Sequence, residues 1–247
     1  VFFRIDPKKL KKNSPFFLFL HIKIQNMSLP IVFVEGGIGC GKSTLVKHLQ
    51  SYCEKNAKTY LTIQEPVDIW MTIQDKTTEK NMIEAFYQDQ HKHGFEFQMM
   101  AYISRLQRLQ EACKEALDKQ CDFIICERSL YTDRNVFCKM LYDEGKINTY
   151  GYQIYNKWFE HFQSFLGDMK FVYLQTNYEV CLQRIKKRCR DGEENIPSEY
   201  LKKNNEYHDA WLMNQDDVLI LNGNQDYDEK EGLLDEYCGY IMDLMKP

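Results

Sequence analysis

The chain has no paired-cysteine motif. Its nine cysteines, an odd number, are scattered without a CxxC pair. This argues against a disulfide scaffold and reads as reduced thiols in a cytosol-like compartment. A metal cluster is also missing from the pattern. His91 and His93 flank one residue, but no cysteine or second histidine pair accompanies them, so a surface loop is expected there rather than a metal site. No apolar run is long enough to span a membrane. Outside the N-terminus negative charge outweighs positive. Residues 1–26 hold six of the 32 Lys+Arg and one of the 36 Asp+Glu, a balance of +5, which leaves −9 for the rest. So acidic a body speaks against a general nucleic-acid binder, and no membrane partner is expected. Repeats, low-complexity linkers and a second domain are absent as well.

What is present is an ordinary globular composition, 44% hydrophobic and 28% charged, enough to bury a core without disulfides or structural metal. The first 26 residues are set apart. Their KKLKK run and FFLFLHI stretch resemble a weak signal or organelle-targeting segment, but no small-residue cleavage site follows. The preferred expectation is an N-terminal extension over 1–26, disordered or outside the working protein, and one domain over 27–247 beginning at Met27. The expected location is cytoplasmic, or mitochondrial if the basic N-terminus is translated and targets the protein.

Short apolar runs alternate with longer amphipathic stretches. Strands are expected at 31–36, 59–65, 121–129, 170–176 and 217–222, and helices at 43–55, 96–118, 150–166 and 228–245. In the long helix, Phe97, Met100, Ile103, Leu106 and Leu109 mark the expected buried face. Strands alternating with helices imply an α/β fold with a parallel sheet covered on both faces. Ligands in such sheets sit at the carboxyl ends of the strands. Three strands here end in Glu35-Gly36, Glu65-Pro66 and Glu127-Arg128-Ser129.

The first of these ends opens into Gly36-Gly37-Ile38-Gly39-Cys40-Gly41-Lys42-Ser43, followed by Thr44, a full match to GxxxxGK[ST] between a strand and a helix. Glycines let backbone N–H groups turn inward around phosphate oxygens, and the helix N-terminus adds favourable partial charge. Lys42 suits the outer phosphates and the Ser43 hydroxyl suits Mg²⁺. The signal points to a nucleoside triphosphate and is silent about the acceptor. Phosphoryl transfer also needs positive charge on the moving group and a place for the acceptor's proton. Glu65 is the candidate base; Glu127 and Arg128 are candidates for the metal and phosphates, or a structural ion pair. In RIKKRCRDGEE, residues 184–194, Arg184 and Arg188 share a helical face. That stretch reads as a solvated helix, a nucleic-acid patch, or a lid whose arginines neutralise developing charge.

Taken together, EGGIGCGKST, EPVDIW, FEFQ…SRL, ERSLYTDR and LQRIKKRCRDGEENIPSEYL resemble the deoxynucleoside kinases, over about residues 31–245. The resemblance implies a P-loop kinase fold, with a five-stranded parallel sheet flanked by helices and an arginine-rich lid. It also implies ATP as donor with Mg²⁺, a deoxynucleoside acceptor, and a homodimer joined through helices such as 96–118 and 150–166. Residue by residue, it implies Glu65 as the base for the 5′-hydroxyl, and Arg128 holding that glutamate. Ser43 and Glu127 would lie near Mg²⁺, and Arg184, Arg188 and Arg190 would form the lid. Tyr87 and Glu193 would contact the 3′-hydroxyl, Gln98 would read the base edge, Phe97 and Phe137 would pack on the base, and Ile38 and Trp70 would line the pocket. Residues 214–222 would be the loop near the donor's adenine. Read without the resemblance, Phe97, Phe137 and Trp70 are expected to be core residues.

The preferred base turns on Arg105 and Asp133, a pair similar to that of the deoxycytidine and deoxyguanosine enzymes. An ionised Asp133 only accepts and Arg105 only donates. The pair suits a base with an exocyclic amino group, and thymine offers none. Deoxycytidine or a purine deoxynucleoside is therefore expected over thymidine, the alternative being an ion pair that only shapes the pocket. Phe86, Met99 and Met100 depart from the family pattern and bear on base choice. The rival readings are a nucleoside monophosphate kinase of the thymidylate kinase type and a non-catalytic nucleotide-binding accessory protein.

Overall fold

The strands form where β-branched and aromatic residues run together. In the computed structural model, which describes residues 29–163, 168–188, 196–227, 230 and 232–246, they are β1 (Ile31–Glu35), β2 (Tyr60–Ile63), β3 (Phe123–Glu127), β4 (Met169–Gln175) and β5 (Val218–Asn222). They make one five-stranded parallel sheet in the order β2-β3-β1-β4-β5. The central β1 and β3 are buried along their whole length, which is why they read as unbroken apolar runs.

Alternation still sorts their side chains by face. Ile31 and Phe33 pack with Tyr102, Leu106, Tyr155 and Phe159, while Val32 and Val34 pack with Leu45, Leu49, Cys238 and Ile241. The first layer is carried by α4 (Gln90–Asp118) and α7 (Thr149–Phe162), the second by α1 (Lys42–Lys55) and α10 (Leu233–Leu244). Between them in the chain lie α2 (Val67–Thr72), α3 (Met82–Gln88), and a short helical turn α5 (Leu130–Thr132). A π-helical stretch, Asp133–Cys138, continues α5 into α6 (Lys139–Asp143). The layers are completed by α8 (Tyr178–Arg188) and α9 (Ser198–Leu212).

The core is stabilised mainly by these apolar contacts. Leu49, fully buried on α1, would cost about 2–5 kcal/mol on truncation to alanine.

Four local expectations need correction. His91 and His93 are not in a loop: α4 begins at Gln90, capped by the Asp89 side chain, which accepts from Lys92 N at 3.1 Å. The buried stripe of α4 is offset from the apolar one. Ile103 is 48% exposed, while Gln98 and Arg105 are buried beside Ala101, Tyr102, Leu106 and Leu109. Polar residues there have partners or work to do inside, so hydrophobicity alone misplaces the stripe. The expected strand at 59–65 stops at Ile63, leaving Glu65 on the turn beyond it. Residues 214–222 are not a donor loop, since 218–222 are β5 and 214–217 precede it at the amino end of the sheet. The loop at the carboxyl end of β5 starts at Gly223 and leads to α10, and its described residues are 223–227, 230 and 232. The expected extension 1–26, the start at Met27, Arg190 and Glu193 lie outside the described residues.

Candidate active site

The loop from β1 to α1 folds as its glycines require. Gly39 has φ +80°, and a Cβ there would come within 2.7 Å of Cys181 O. At Gly37 a Cβ would sit 2.1 Å from Asn205 Oδ1, so α9 closes directly over the loop. Gly41 caps α1 without any side-chain hydrogen bond, which keeps the first helical N–H groups for an anion. Lys42 Nζ donates to Gly36 O at 3.1 Å and Gly37 O at 2.8 Å, curled within the loop it would serve. Cys40 is buried, and Thr44 is exposed on the first turn of α1.

The carboxyl end of β3 supplies the next groups. Ser43 Oγ lies 3.1 Å from both Glu127 carboxylate oxygens. Arg128 takes the left-handed conformation, φ 65°, which costs an L-residue about 1–2 kcal/mol and turns its side chain off the strand line. Its Nη1 donates to Gly36 O at 2.8 Å, and its Nε stands 3.0 Å from Glu65 Oε1. Glu35, fully buried at the end of β1, holds this turn: its Oε1 accepts from Ser129 N at 2.9 Å and its Oε2 from the Thr132 hydroxyl.

Glu65 lies between two guanidiniums. Arg105 Nη2 donates to its Oε1 at 3.1 Å, the same oxygen that faces Arg128 Nε. Burial alone would raise the Glu65 pKa, but Arg128 and Arg105 outweigh it and hold the carboxyl at about 2. Arg105 also donates to Asp133 Oδ2 at 2.9 Å and to Glu127 O at 3.2 Å. Burial pushes the Asp133 carboxyl up, with Arg105 pulling against it.

Aromatic rings extend the site away from the phosphate loop. Trp70 meets Phe97 edge-on at 5.4 Å and donates from Nε1 to Ser104 Oγ at 2.9 Å. Phe97 stacks on Phe86 at 4.4 Å, Phe86 abuts Tyr87, and Tyr87 meets Tyr200 edge-on. Phe137 covers the Arg128 guanidinium at 5.0 Å. Gln98 is buried, and its Oε1 has no hydrogen-bond partner among the described residues. Ile38 packs near Ile185 and Tyr200.

The model of the deoxynucleoside kinase family matches residues 32–238 of this chain. The chain belongs to that family. Rat deoxycytidine kinase is 31% identical over 232 residues, covering 83% of this chain and 88% of its own. A probable deoxycytidine kinase of Fowlpox virus is 28% identical over 240 residues, covering 90% and 94%. The mitochondrial thymidine kinase 2 of Macaca fascicularis is 31% identical over 188 residues, covering 74% and 64%. The protein is therefore a kinase of deoxynucleosides, and the site above is where this family's chemistry has to be sought.

Within this deoxynucleoside kinase the sequence-predicted residues fall into two groups. Glu65, Arg105, Asp133, Arg128, Phe137, Trp70 and Phe97 are linked by direct contacts, and Arg128 joins them to the phosphate loop. Arg184 is placed apart from them. Its guanidinium donates to Cys40 O and Gly223 O, both at 2.8 Å, and to Gln225 O at 3.0 Å, with Tyr227 beneath it at 5.6 Å. It ties the phosphate loop to the loop after β5. Arg188 follows one turn later, at the end of α8.

Sequence reasoning missed α9. Asn204 Oδ1 accepts from Ile38 N at 3.3 Å, Asn205 Nδ2 donates to Thr176 O at 2.5 Å, and His208 is fully buried against Arg128. The spacing of Tyr200, Asn204 and His208, four apart on one helical face, was the available signal.

Proposed function

We propose that the protein transfers the γ-phosphoryl group of ATP to the 5′-hydroxyl of a deoxynucleoside, with deoxycytidine or a purine deoxynucleoside preferred over thymidine. The observation that carries this reading is Glu65 fixed between Arg105 and Arg128, with Arg128 also bonded to the phosphate loop at Gly36 O. The 5′-oxygen bonds to the γ-phosphorus as the bridge to the β-phosphate breaks. ADP leaves, and the hydroxyl proton passes to Glu65. A carboxylate held at about 2 is a weak base, which suits a loose transition state in which the hydroxyl deprotonates late. Glu65 then acts first by orienting the hydroxyl. Lys42 exchanges its loop carbonyls for the nucleotide's outer phosphates.

A hydroxyl and a carboxylate converging at 3.1 Å are hard oxygen donors that fit magnesium, which keeps several waters and shares its remaining sites with phosphate oxygens. Ser43 and Glu127 would hold it, and when bound it would supply positive charge to the phosphoryl oxygens. Arg184, Arg188 and Arg190 are proposed to close over the phosphates, and Tyr87 and Glu193 to meet the 3′-hydroxyl. The orphaned oxygen of Gln98 calls for a donor such as an exocyclic amino group. Asp133 retains lone pairs beyond those taken by Arg105, which favours the same bases. One kinase domain over 27–247, a homodimer and a cytoplasmic location complete the reading. No helix among the described residues is long and apolar enough to cross a membrane.

Replacing Glu65 by glutamine tests the assignment. Turnover should fall about 100-fold or more while nucleoside and ATP still bind. Unchanged turnover would remove Glu65 from this role.

A further inference from the structure

His208 has no part in the reaction as described, yet it is fully buried one contact from its centre. Its Nδ1 lies 2.7 Å from Asn204 O, a carbonyl that can only accept, so Nδ1 carries a proton. Its Nε2 lies 3.3 Å from Arg128 Nη1, which can only donate, so Nε2 must offer a lone pair. Two independent neighbours thus define one species, the neutral Nδ1–H tautomer. Burial and the nearby Arg128 and Lys42 charges hold the ring well below its ordinary pKa, in agreement with that geometry. The ring has little freedom to turn. It lies parallel to Tyr173 at 6.2 Å and meets Phe137 edge-on at 6.4 Å, and Phe137 covers the Arg128 guanidinium.

The consequence is for Arg128. One Nη1 hydrogen goes to Gly36 O and the other to His208, while Nε faces Glu65. Two anchors on one nitrogen fix the plane of a guanidinium that a single anchor would leave free to rotate. Nε, 3.0 Å from Glu65 Oε1, is buried in ion-pair contact there without a hydrogen bond, so its alignment with the carboxylate depends on how the guanidinium plane is held. We propose that His208 is a positioning residue: as a neutral acceptor it sets the Arg128 plane, so that Nε is held toward the Glu65 carboxylate. This rests on the role proposed for Arg128 above, that of fixing Glu65 beside the phosphate loop.

The test uses His208→Phe, which keeps the ring packing but cannot accept, and His208→Gln, whose amide oxygen can reach the Nε2 position. His208→Phe should lower kcat about 10- to 100-fold, the range for a lost hydrogen bond to a charged group, with KM for ATP little changed. His208→Gln should recover most of that loss. In an Arg128→Lys background His208→Phe should cost far less, because the two act through one group. Wild-type kcat in His208→Phe, no rescue by glutamine, or full additivity with Arg128→Lys would overturn the proposal. If Arg128→Lys itself leaves turnover intact, the functional reading fails instead. Should His208→Phe not fold, ¹⁵N NMR of the wild-type imidazole decides. A neutral Nδ1–H signal constant from pH 5 to 8 is expected, and an imidazolium or an Nε2–H tautomer would overturn the proposal.

Discussion

Arg105 contributes both to the fold and to the proposed choice of base. It holds Asp133 at 2.9 Å and Glu65 at 3.1 Å from inside the core. Removing it alone leaves Asp133 buried without its cation, and breaking such a pair costs about 3–5 kcal/mol. Arg105→Met should therefore lower the melting temperature strongly, and adding Asp133→Ala should recover much of the loss. Thermal unfolding of the single and double variants checks this; additive losses would mean that the pair is not coupled. The double variant should also gain turnover of thymidine relative to deoxycytidine. Glu65 gives a prediction of the opposite kind, in pH. Its folded pKa of about 2 lies below the unfolded value of about 4.3, so its contribution to stability is complete above the latter and is lost as pH falls through the former. Melting temperature should fall more steeply between about pH 4 and 2 in the wild type than in Glu65→Gln, and parallel curves would contradict the ion-pair geometry.

The five strands were legible as elements because each is a short apolar run bounded by polar residues, and a fully buried parallel sheet imposes that pattern. The long helix was legible from 96 to its end at Asp118 but not in its start at Gln90, nor in facing, because Gln98 and Arg105 lie on its buried side while Ile103 is exposed. The role of α9 was not legible at all. Asn204, Asn205 and His208 acquire meaning only when the helix is laid over the phosphate loop, a contact between residues more than 100 positions apart. Glycines separate the two kinds of constraint. Gly239, inside α10, has nothing within 4 Å of a built Cβ, so Gly239→Ala should stabilise by about 0.5–1 kcal/mol. At Gly37 the same change pushes on Asn205 and should cost about 1–3 kcal/mol and weaken nucleotide binding. Chemical denaturation of both variants tests the pair, and a neutral Gly37→Ala would contradict the packing of α9 on the loop.

Across the whole molecule, α4 and α7 meet through Tyr102 with Tyr155 and Phe159, and the next residues outward, Ile103, Ile154 and Trp158, stay about half exposed. Apolar residues grouped on two packed helices suit a second copy of the chain. A dimer is expected by light scattering, and Trp158→Glu should shift it to monomer; a monomeric wild type would contradict the proposed assembly. The kinase reading itself was legible from motifs because phosphate chemistry demands fixed spacings along the chain. The base preference was not, since it depends on how Arg105, Asp133 and Gln98 face one another in space. The measurement that tests the account most directly is phosphoryl transfer from ATP and Mg²⁺ to each of the four deoxynucleosides and to thymidine monophosphate, using the full chain. Turnover of deoxycytidine or a purine deoxynucleoside with thymidine poor is the predicted result. Turnover of the monophosphate alone, or of no acceptor, would contradict it.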